Sequence, residues 1–163
     1  MRIKLDPIDW KILDVLQKQG DASAADVGEI VGLSQSPCWR RIQRLEQAGL
    51  IRRRVALLDR RALGINLLIF AHVKLEAHGG SSMEDFRTAI ADIPEIQECH
   101  VVMGQVDFLL RIVARDVEAY ESLFFERLSR LPGVREINSM MAVSTVKETT
   151  EVPLATLQKY ETL

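Results

Sequence analysis

Three arginines within five residues give the clearest chemical signal in the sequence. Arg40, Arg41 and Arg44 stand together, with Glu46 as their acidic neighbour. Arginine pairs with the guanine edge in the major groove of DNA and is also a strong phosphate ligand. This basic segment predicts contact with a nucleic acid, and the alternative is the solvated face of a plain helical bundle.

Side chains suited to catalysis or metal binding are present, but not in the spacings that such chemistry needs. The three histidines, His72, His78 and His100, lack metal-ligand spacing. Cys38 and Cys99 lie far apart, which excludes a disulfide framework and a cysteine-based metal site. There is no nucleophile elbow, Walker loop or dinucleotide fingerprint. We therefore predict no enzyme activity, no metal and no cofactor.

The composition is that of a folded globular protein. The 163 residues are 47% hydrophobic and 27% charged, and this length accommodates one domain or two small ones. No apolar run approaches the ~18 residues of a membrane span. The N-terminus carries charges where a signal peptide needs an apolar stretch. These features predict a cytoplasmic protein without a membrane partner.

Charge is distributed unevenly along the chain. Residues 1–61 hold 12 Lys and Arg against 8 Asp and Glu, whereas residues 62–163 hold 9 against 15. A basic first third (+4) is thus joined to an acidic remainder (−6), for a total of −2. The division indicates two modules with different partners, the first of them nucleic acid. Chance segregation of surface charge is the alternative.

Two short helices are predicted before the basic segment. Asp6 is a good N-cap with Pro7 at the first helical position, and Gly20 ends this helix. The second helix opens at Ser23, in the manner of a capping box with Asp26.

The basic segment itself is predicted to be a third helix, with Ser36 as its cap, Pro37 as its first residue and Gly49 after its end. Three apolar residues at spacings of four and three face the core, namely Cys38, Ile42 and Leu45. The second and third helices are joined by a turn that contains Gly32. This is the helix-turn-helix plan, in which the latter helix enters the major groove.

An arginine run followed by β-favouring residues occupies Ile51 to Leu58, which predicts a strand or an extended tether. Arg52, Arg53 and Arg54 are placed to touch the DNA backbone, although the edge of a charged hairpin is an equal alternative. The linker between the two modules is predicted at Arg60 to Asn66.

The second module alternates strands and helices. Its predicted elements are a strand Leu67–Leu75, a loop Gly79–Ser82 that leads into a helix to Asp92, a strand Ile96–Met103, a turn Gly104–Asp107, a strand Phe108–Ala114, a helix Val117–Arg130 and a strand Val134–Val146. The order β-α-β-β-α-β is that of the ferredoxin-like split unit. Because both helices cover one face of such a sheet, a second copy is the simplest cover for the other face. We therefore predict a homodimer.

Seven short motifs are spread from Leu5 to about Leu154. They are Leu5-Asp6-x-x-Asp9-x-x-Ile12-Leu13, Val31-Gly32-Leu33-Ser34, Ser36-Pro37-Cys38-Trp39-Arg40-Arg41-Ile42, Arg44-Leu45-Glu46-x-x-Gly49-Leu50-Ile51, Gly104-x-x-Asp107-Phe108-Leu109-Leu110, Leu131-Pro132-Gly133-Val134 and Lys147-x-Thr149-Thr150-x-x-Pro153-Leu154. In this order and spacing they resemble the Lrp/AsnC family of feast/famine transcription regulators. One departure is Gly28, which stands where that family usually has alanine.

The resemblance implies an α+β protein, with an N-terminal winged helix-turn-helix joined to a C-terminal ferredoxin-like βαββαβ ligand-binding module. The domains would be 1–51 for DNA binding, 52–66 for a tether strand and linker, and 67–163 for effector binding and oligomerisation. It implies dimers that often assemble into octamers, a pseudo-palindromic operator in double-stranded DNA, and an amino acid as effector. The implied DNA contacts are Ser34, Gln35, Ser36, Trp39, Arg40, Arg41 and Arg44.

In this family the effector binds between dimers. The implied effector residues are Met103, Gly104, Gln105, Val106 and Asp107, with Met140, Met141, Ala142, Ser144 and Thr149 opposite. Asp107 can bind the ammonium group of an amino acid, and backbone N–H groups of the turn can bind its carboxylate. The methionines offer an adaptable wall, which favours an apolar or sulfur-containing amino acid. The alternatives are a turn-capping role for Asp107 and an interface role for the methionines.

The function that these observations favour is a sequence-specific transcription regulator whose assembly or DNA binding responds to an amino acid. Two alternatives stay open. Sirohaem decarboxylases resemble these regulators and handle a tetrapyrrole with histidine and arginine, and a module of this kind can also bind amino acids without DNA. The basic third helix argues for DNA.

Overall fold

The computed structural model describes residues 3–76 and 80–161, which form two compact units. The first unit contains the described residues up to Leu57 together with those from Lys147 onward, and the second runs from Leu58 to Val146. The division therefore falls inside the predicted 52–66 tether. The C-terminal segment belongs to the first unit, whereas the sequence analysis assigned it to the second module.

No helix among the described residues is long and apolar enough to cross a membrane.

The N-terminal part of the first unit contains three short helices, α1 (Pro7–Lys18), α2 (Ala24–Val31) and α3 (Gln35–Gln47). Capping boxes open the first two, as the local sequence predicts. The Asp6 carboxylate accepts the backbone N–H groups of Ile8 and Asp9, and Ser23 and Asp26 form the equivalent pair at α2. Apolar side chains from all three helices make the core, among them Ile12, Leu16, Val27, Cys38, Ile42 and Leu45.

α3 begins two residues earlier than predicted. Ser34 occupies the N-cap position, and Pro37 lies within the first turn. The prediction of Ser36 as cap and Pro37 as first helical residue is therefore wrong. Proline is tolerated here because the N–H groups of a first turn have no intrahelical partner.

The turn between α2 and α3 packs closely onto α2. Gly32 ends α2 in the left-handed conformation (φ 77°), and the Leu33 N–H donates to the Gly28 carbonyl at 2.8 Å. A Cβ atom at Gly28 would lie 2.6 Å from the Leu33 carbonyl oxygen. Glycine at this departure from the family pattern thus permits the close approach of the turn.

The segment that follows α3 is irregular, with turns at residues 60–64. Residues 51–66, all of them described, contain no strand, so the strand and hairpin alternatives are wrong. Arg52, Arg53 and Arg54 are exposed, and Arg54 forms an ion pair with Glu46 at 3.0 Å.

The second unit is an antiparallel sheet with two helices. Its elements are β1 (Leu67–Leu75), α4 (Gly80–Ala91), β2 (Ile96–Val101), β3 (Phe108–Ala114), α5 (Val117–Glu126) and β4 (Val134–Met141). The strand order is β2-β3-β1-β4, and the predicted βαββαβ order is confirmed. The predicted extension of β4 to Val146 is wrong. β4 ends at Met141, opposite Ile69, and one more bond runs from the Ala142 N–H to the Leu68 carbonyl. Because β1 begins at Leu67, this register gives β1 no residue opposite 144–146.

The two faces of this sheet differ. One face carries the core, in which Ile69, Ala71 and Val73 of β1 are buried with Phe86 of α4. The opposite face carries apolar and charged side chains together, among them Leu68, Phe70, His72 and Lys74 of β1, Leu109 and Arg111 of β3, and Met140 of β4. The second face is therefore partly hydrophobic, although no described element of the same unit covers it.

The C-terminal segment contacts α1. Its helix α6 (Leu154–Glu161) packs against α1, and the Val152 N–H donates to Gln17 Oε1 at 2.9 Å. The first unit is therefore closed by residues from both ends of the chain.

Candidate functional site

The outer surface of α3 presents polar, aromatic and cationic side chains to solvent. Gln35, Ser36, Trp39 and Arg40 are exposed and line one shallow depression. Helical periodicity places Ser36, Trp39 and Arg40 off the buried side of α3, whereas Gln35 is exposed in its first turn. The first half of α3 is thus free to meet a ligand, and Ser34 is exposed at its start.

Arg41 and Arg44 are placed differently from Arg40. The Arg41 guanidinium donates to Asp6 Oδ2 at 2.6 Å and to Asp9 Oδ1 at 2.8 Å, and Arg44 forms an ion pair with Asp9. Asp9 is completely buried, and it also accepts the Asp6 N–H at 3.0 Å. The two arginines therefore tie α3 to the start of α1, which fixes how the exposed half of α3 is presented.

Electrostatics reinforce this junction. The pKa of the Asp6 carboxyl lies below its ordinary value, first because it accepts the Asp9 N–H and then because Arg41 donates to it. Hydrogen bonds to Asp6 and then to Asp9 raise the pKa of Arg41. Both members of the Asp6–Arg41 pair are accordingly charged throughout the neutral range.

We expect the Asp6 charge to make the first unit sensitive to acid. Because the folded pKa is the lower one, charged Asp6 contributes stability that is complete above about pH 5 and is lost as the pH falls through the folded value. Asp6→Asn keeps the helix cap without the charge. Urea unfolding followed by tryptophan fluorescence reports on this unit, since Trp10 and Trp39 are the only tryptophans. The wild type should lose more stability than Asp6→Asn between about pH 6 and pH 3; equal losses would contradict the assignment.

The predicted effector turn is open to solvent at its tip and tied to the sheet at its base. Met103 is 97% exposed, and no atom lies within 4 Å of where a Cβ at Gly104 would stand. At the base, the Asp107 N–H donates to the Val73 carbonyl at 2.9 Å, and Asp107 Oδ2 accepts the Leu75 N–H at 2.7 Å. The Asp107 carboxylate therefore caps the end of β1 with one oxygen, as in the turn-capping alternative.

The other predicted effector residues lie at the far end of the same sheet. Met140 and Met141 pair with Phe70 and Ile69 of β1, whereas Asp107 meets Val73 and Leu75. Four residues along β1 separate these places, which is about 13 Å. The turn and the end of β4 are therefore not brought together within one chain.

The members of the second group are also divided among themselves. As neighbours in a strand, Met140 and Met141 point to opposite faces of the sheet, and each is about half exposed. Ala142 and Ser144 follow in the segment after β4, and Thr149 belongs to the first unit, where its hydroxyl accepts the Glu151 N–H at 3.1 Å. Gln105 is exposed in the turn and Val106 is half-buried.

Metal binding and thiol chemistry find no support among the described residues. Within residues 3–76 and 80–161, no group of three His, Cys, Asp or Glu side chains could hold a metal ion. Cys38 is buried, and its burial raises the thiol pKa despite the opposing charge of Arg41. It is a core residue, as its spacing predicts. His78 lies outside the described residues.

Asp9 is part of the first sequence motif, but its role as the buried partner of Arg41 and Arg44 was not predicted. Its position three residues before Ile12 and seven before Leu16 puts it on the apolar face of α1, where an acidic side chain needs a partner. This position on the apolar face can be recognised from the sequence, whereas the pairing of Asp9 with Arg41 and Arg44 of α3 cannot.

Comparisons with known proteins cover nearly the whole chain. Residues 5–52 match a family model described as winged helix-turn-helix DNA-binding, and residues 68–152 match the Lrp/AsnC ligand binding domain. The leucine-responsive regulatory protein of Escherichia coli K12 is 40% identical over 152 residues, 93% of each chain.

Solved structures agree. A transcriptional regulator of Neisseria meningitidis in complex with L-methionine is 34% identical with a TM-score of 0.91, over 94% of this chain and 99% of that one. An AsnC family transcriptional regulator of Agrobacterium tumefaciens is 37% identical with a TM-score of 0.88, over the same shares. With both modules matched in order, the chain belongs to the Lrp/AsnC family of DNA-binding transcription regulators and is a non-enzymatic member of it.

Proposed function

We propose that this regulator reads a pseudo-palindromic operator in cytoplasmic DNA through the first half of α3. The observation that carries the proposal is the exposure of Gln35, Ser36, Trp39 and Arg40 on one surface of that helix. A helix-turn-helix places the N-terminal residues of its second helix at base edges, and Arg40 suits guanine there.

The remaining DNA-contact residues serve position and affinity. Ser34 stands at the N-terminus of α3, where it can meet a phosphate. Arg41 and Arg44 hold α3 against α1 through Asp9, and the exposed part of Arg44 is available to the DNA backbone. Arg52 and Arg53 in the tether add phosphate contacts, which strengthen binding to any sequence and weaken with salt.

We propose that homodimers form through the second face of the sheet. The apolar side chains of Phe70, Leu109 and Met140 on this face favour burial against a second copy, in which Arg111, directly opposite Phe70, would need to keep a polar or charged partner. A two-fold dimer presents two α3 helices to half-sites one helical turn or a multiple of it apart, which matches a pseudo-palindrome. The family resemblance extends this to four dimers in an octamer that wraps DNA.

We further propose an amino acid as effector, bound between dimers. The separation of Asp107 from Met140 and Met141 by about 13 Å along β1 supports a site completed by another copy, since one chain cannot close it. The second Asp107 oxygen is suited to the ammonium group and the turn N–H groups to the carboxylate. The L-methionine complex of the Neisseria relative supports an apolar or sulfur-containing ligand.

Effector control requires two states of the assembly. An amino acid changes DNA binding only as far as its affinity differs between those states. In the proposed mechanism, contacts between dimers exist in the octamer and are absent from the free dimer. A ligand bound at those contacts therefore has different affinities for the two states.

Asp107→Asn tests the effector site. Asparagine keeps an oxygen that accepts the Leu75 N–H, so the sheet should stay intact, while the charge that binds ammonium is lost. We expect the apparent affinity for the amino acid, measured through its effect on operator binding, to fall by at least about tenfold. The operator affinity without amino acid should stay unchanged. Fluorescence anisotropy of labelled operator, titrated with amino acid, measures both.

Asp116→Asn is the matched control. Asp116 likewise accepts a backbone N–H, that of Ala119, at the start of α5. This variant should respond as the wild type does. A normal response in Asp107→Asn would contradict the assignment of Asp107 to the site.

A further inference from the structure

We propose that Trp39 reads the methyl group of a thymine, and that this contact sets part of the operator specificity. The inference deepens the proposed function of α3 and rests on it. Trp39 is 54% exposed, although it is a large apolar side chain on an otherwise polar surface. It shares its depression with Gln35, Ser36 and Arg40.

Packing of the first unit does not account for this exposure. The inner side of α3 is completed by Cys38, Ile42 and Leu45, which are buried against the other helices. Trp39 lies one position beyond Cys38, about 100° around the helix, and so points past the core. Exposure of an indole ring to water is energetically unfavourable, and its burial against a partner recovers that free energy.

The major groove offers one apolar group for this purpose. The thymine C5-methyl is the one alkyl group on these base edges, whereas the groups that identify the other bases are hydrogen-bond donors and acceptors. Packing of the indole against that methyl buries apolar surface on both sides and discriminates thymine from cytosine. The neighbouring Arg40 is suited to guanine, so we place the thymine within two base pairs of that guanine in each half-site.

Replacement of thymine by deoxyuridine removes the methyl and nothing else. The full chain would be used to select its operator from random duplexes, and each thymine of that operator would then be replaced singly. We expect one thymine in each half-site whose replacement weakens wild-type binding about fourfold, the equivalent of one buried methyl or methylene. The other replacements should have smaller effects.

Variants of Trp39 connect that methyl to this side chain. Trp39→Ala should bind the thymine and deoxyuridine duplexes equally, while Trp39→Phe keeps an apolar ring and should retain part of the discrimination. Unchanged urea unfolding of both variants, followed by circular dichroism, confirms that they fold. Such an outcome is expected because Trp39 lies outside the core.

Three results would overturn the inference. The first is no loss at any thymine while Arg40→Ala still weakens binding, in which case α3 remains the DNA-binding helix. The second is a thymine dependence that persists in Trp39→Ala. The third is an equal loss of operator affinity in Trp39→Phe and Trp39→Ala, together with no thymine dependence in the wild type. That result would indicate that the indole N–H donates to a phosphate instead. If neither Arg40→Ala nor Trp39→Ala alters binding, the proposed DNA-binding surface itself is wrong.

Discussion

Replacement of Asp9 by alanine is expected to lower the free energy of unfolding of the first unit by about 2–3 kcal/mol. The buried Asp9 carboxylate is the shared partner of Arg41 and Arg44 and an acceptor for the Asp6 N–H. Its loss leaves Arg44 and the Asp6 N–H without this acceptor, whereas Arg41 keeps its bond to Asp6. The arginines are partly exposed and regain water, which holds the effect below that of a fully buried pair.

Asp14→Ala on the same helix is the matched control. Asp14 pairs with Lys18 at 2.8 Å, but both side chains are about half exposed. Its loss should cost only about 0.5 kcal/mol. Urea unfolding monitored by tryptophan fluorescence measures both variants in the unit that contains Trp10 and Trp39. Equal effects of Asp9→Ala and Asp14→Ala would show that the buried ion pairs do not hold α3 in place.

Arg40→Ala is expected to weaken operator binding by about 1–3 kcal/mol, or roughly 5- to 150-fold, without a change in stability. Arg40 is exposed and lies on the surface that Gln35, Ser36 and Trp39 share. If it reads a guanine, discrimination at that base pair is lost with it.

Arg41→Ala distinguishes a reading role from a positioning role. Because Arg41 bonds Asp6 and Asp9, its loss should lower the urea midpoint of the first unit, which Arg40→Ala leaves unchanged. Anisotropy titrations of the selected operator and of duplexes with single base-pair changes give the affinities. Unaltered affinity and base preference in Arg40→Ala would remove Arg40 from the interface.

Local signals account for what the sequence predicted well. The caps at Asp6 and Ser23, the apolar stripe Cys38–Ile42–Leu45 and the βαββαβ order depend on residues close together in the chain. Helix caps and hydrophobic periodicity act over three or four residues, so they can be recognised without a structure. The start of α3 was misplaced because Ser34 and Ser36 both suit an N-cap.

Contacts between distant residues account for what the sequence could not predict. Arg41 lies 32 residues from Asp9 in the sequence. Its interpretation as a DNA contact, which rested on the basic segment and the family motifs, therefore could not take this ion pair into account. β4 ends at Met141, opposite Ile69, and the start of β1 at Leu67 limits how far this pairing could run. The distance between Asp107 and the methionines likewise depends on strand pairing, because β3 and β4 both run antiparallel to β1, so that the start of β3 and the end of β4 meet opposite ends of β1.

Operator binding measured with each of the twenty amino acids at millimolar concentration joins both halves of the proposed function in one titration. The wild-type chain should bind its selected operator alone, and one amino acid or a few chemically related ones, apolar or sulfur-containing, should shift the affinity or the assembly state. The shift should be absent in Asp107→Asn and present in Asp116→Asn. An operator affinity that no amino acid alters, in a chain that binds DNA through Arg40, would contradict an amino-acid-responsive regulator.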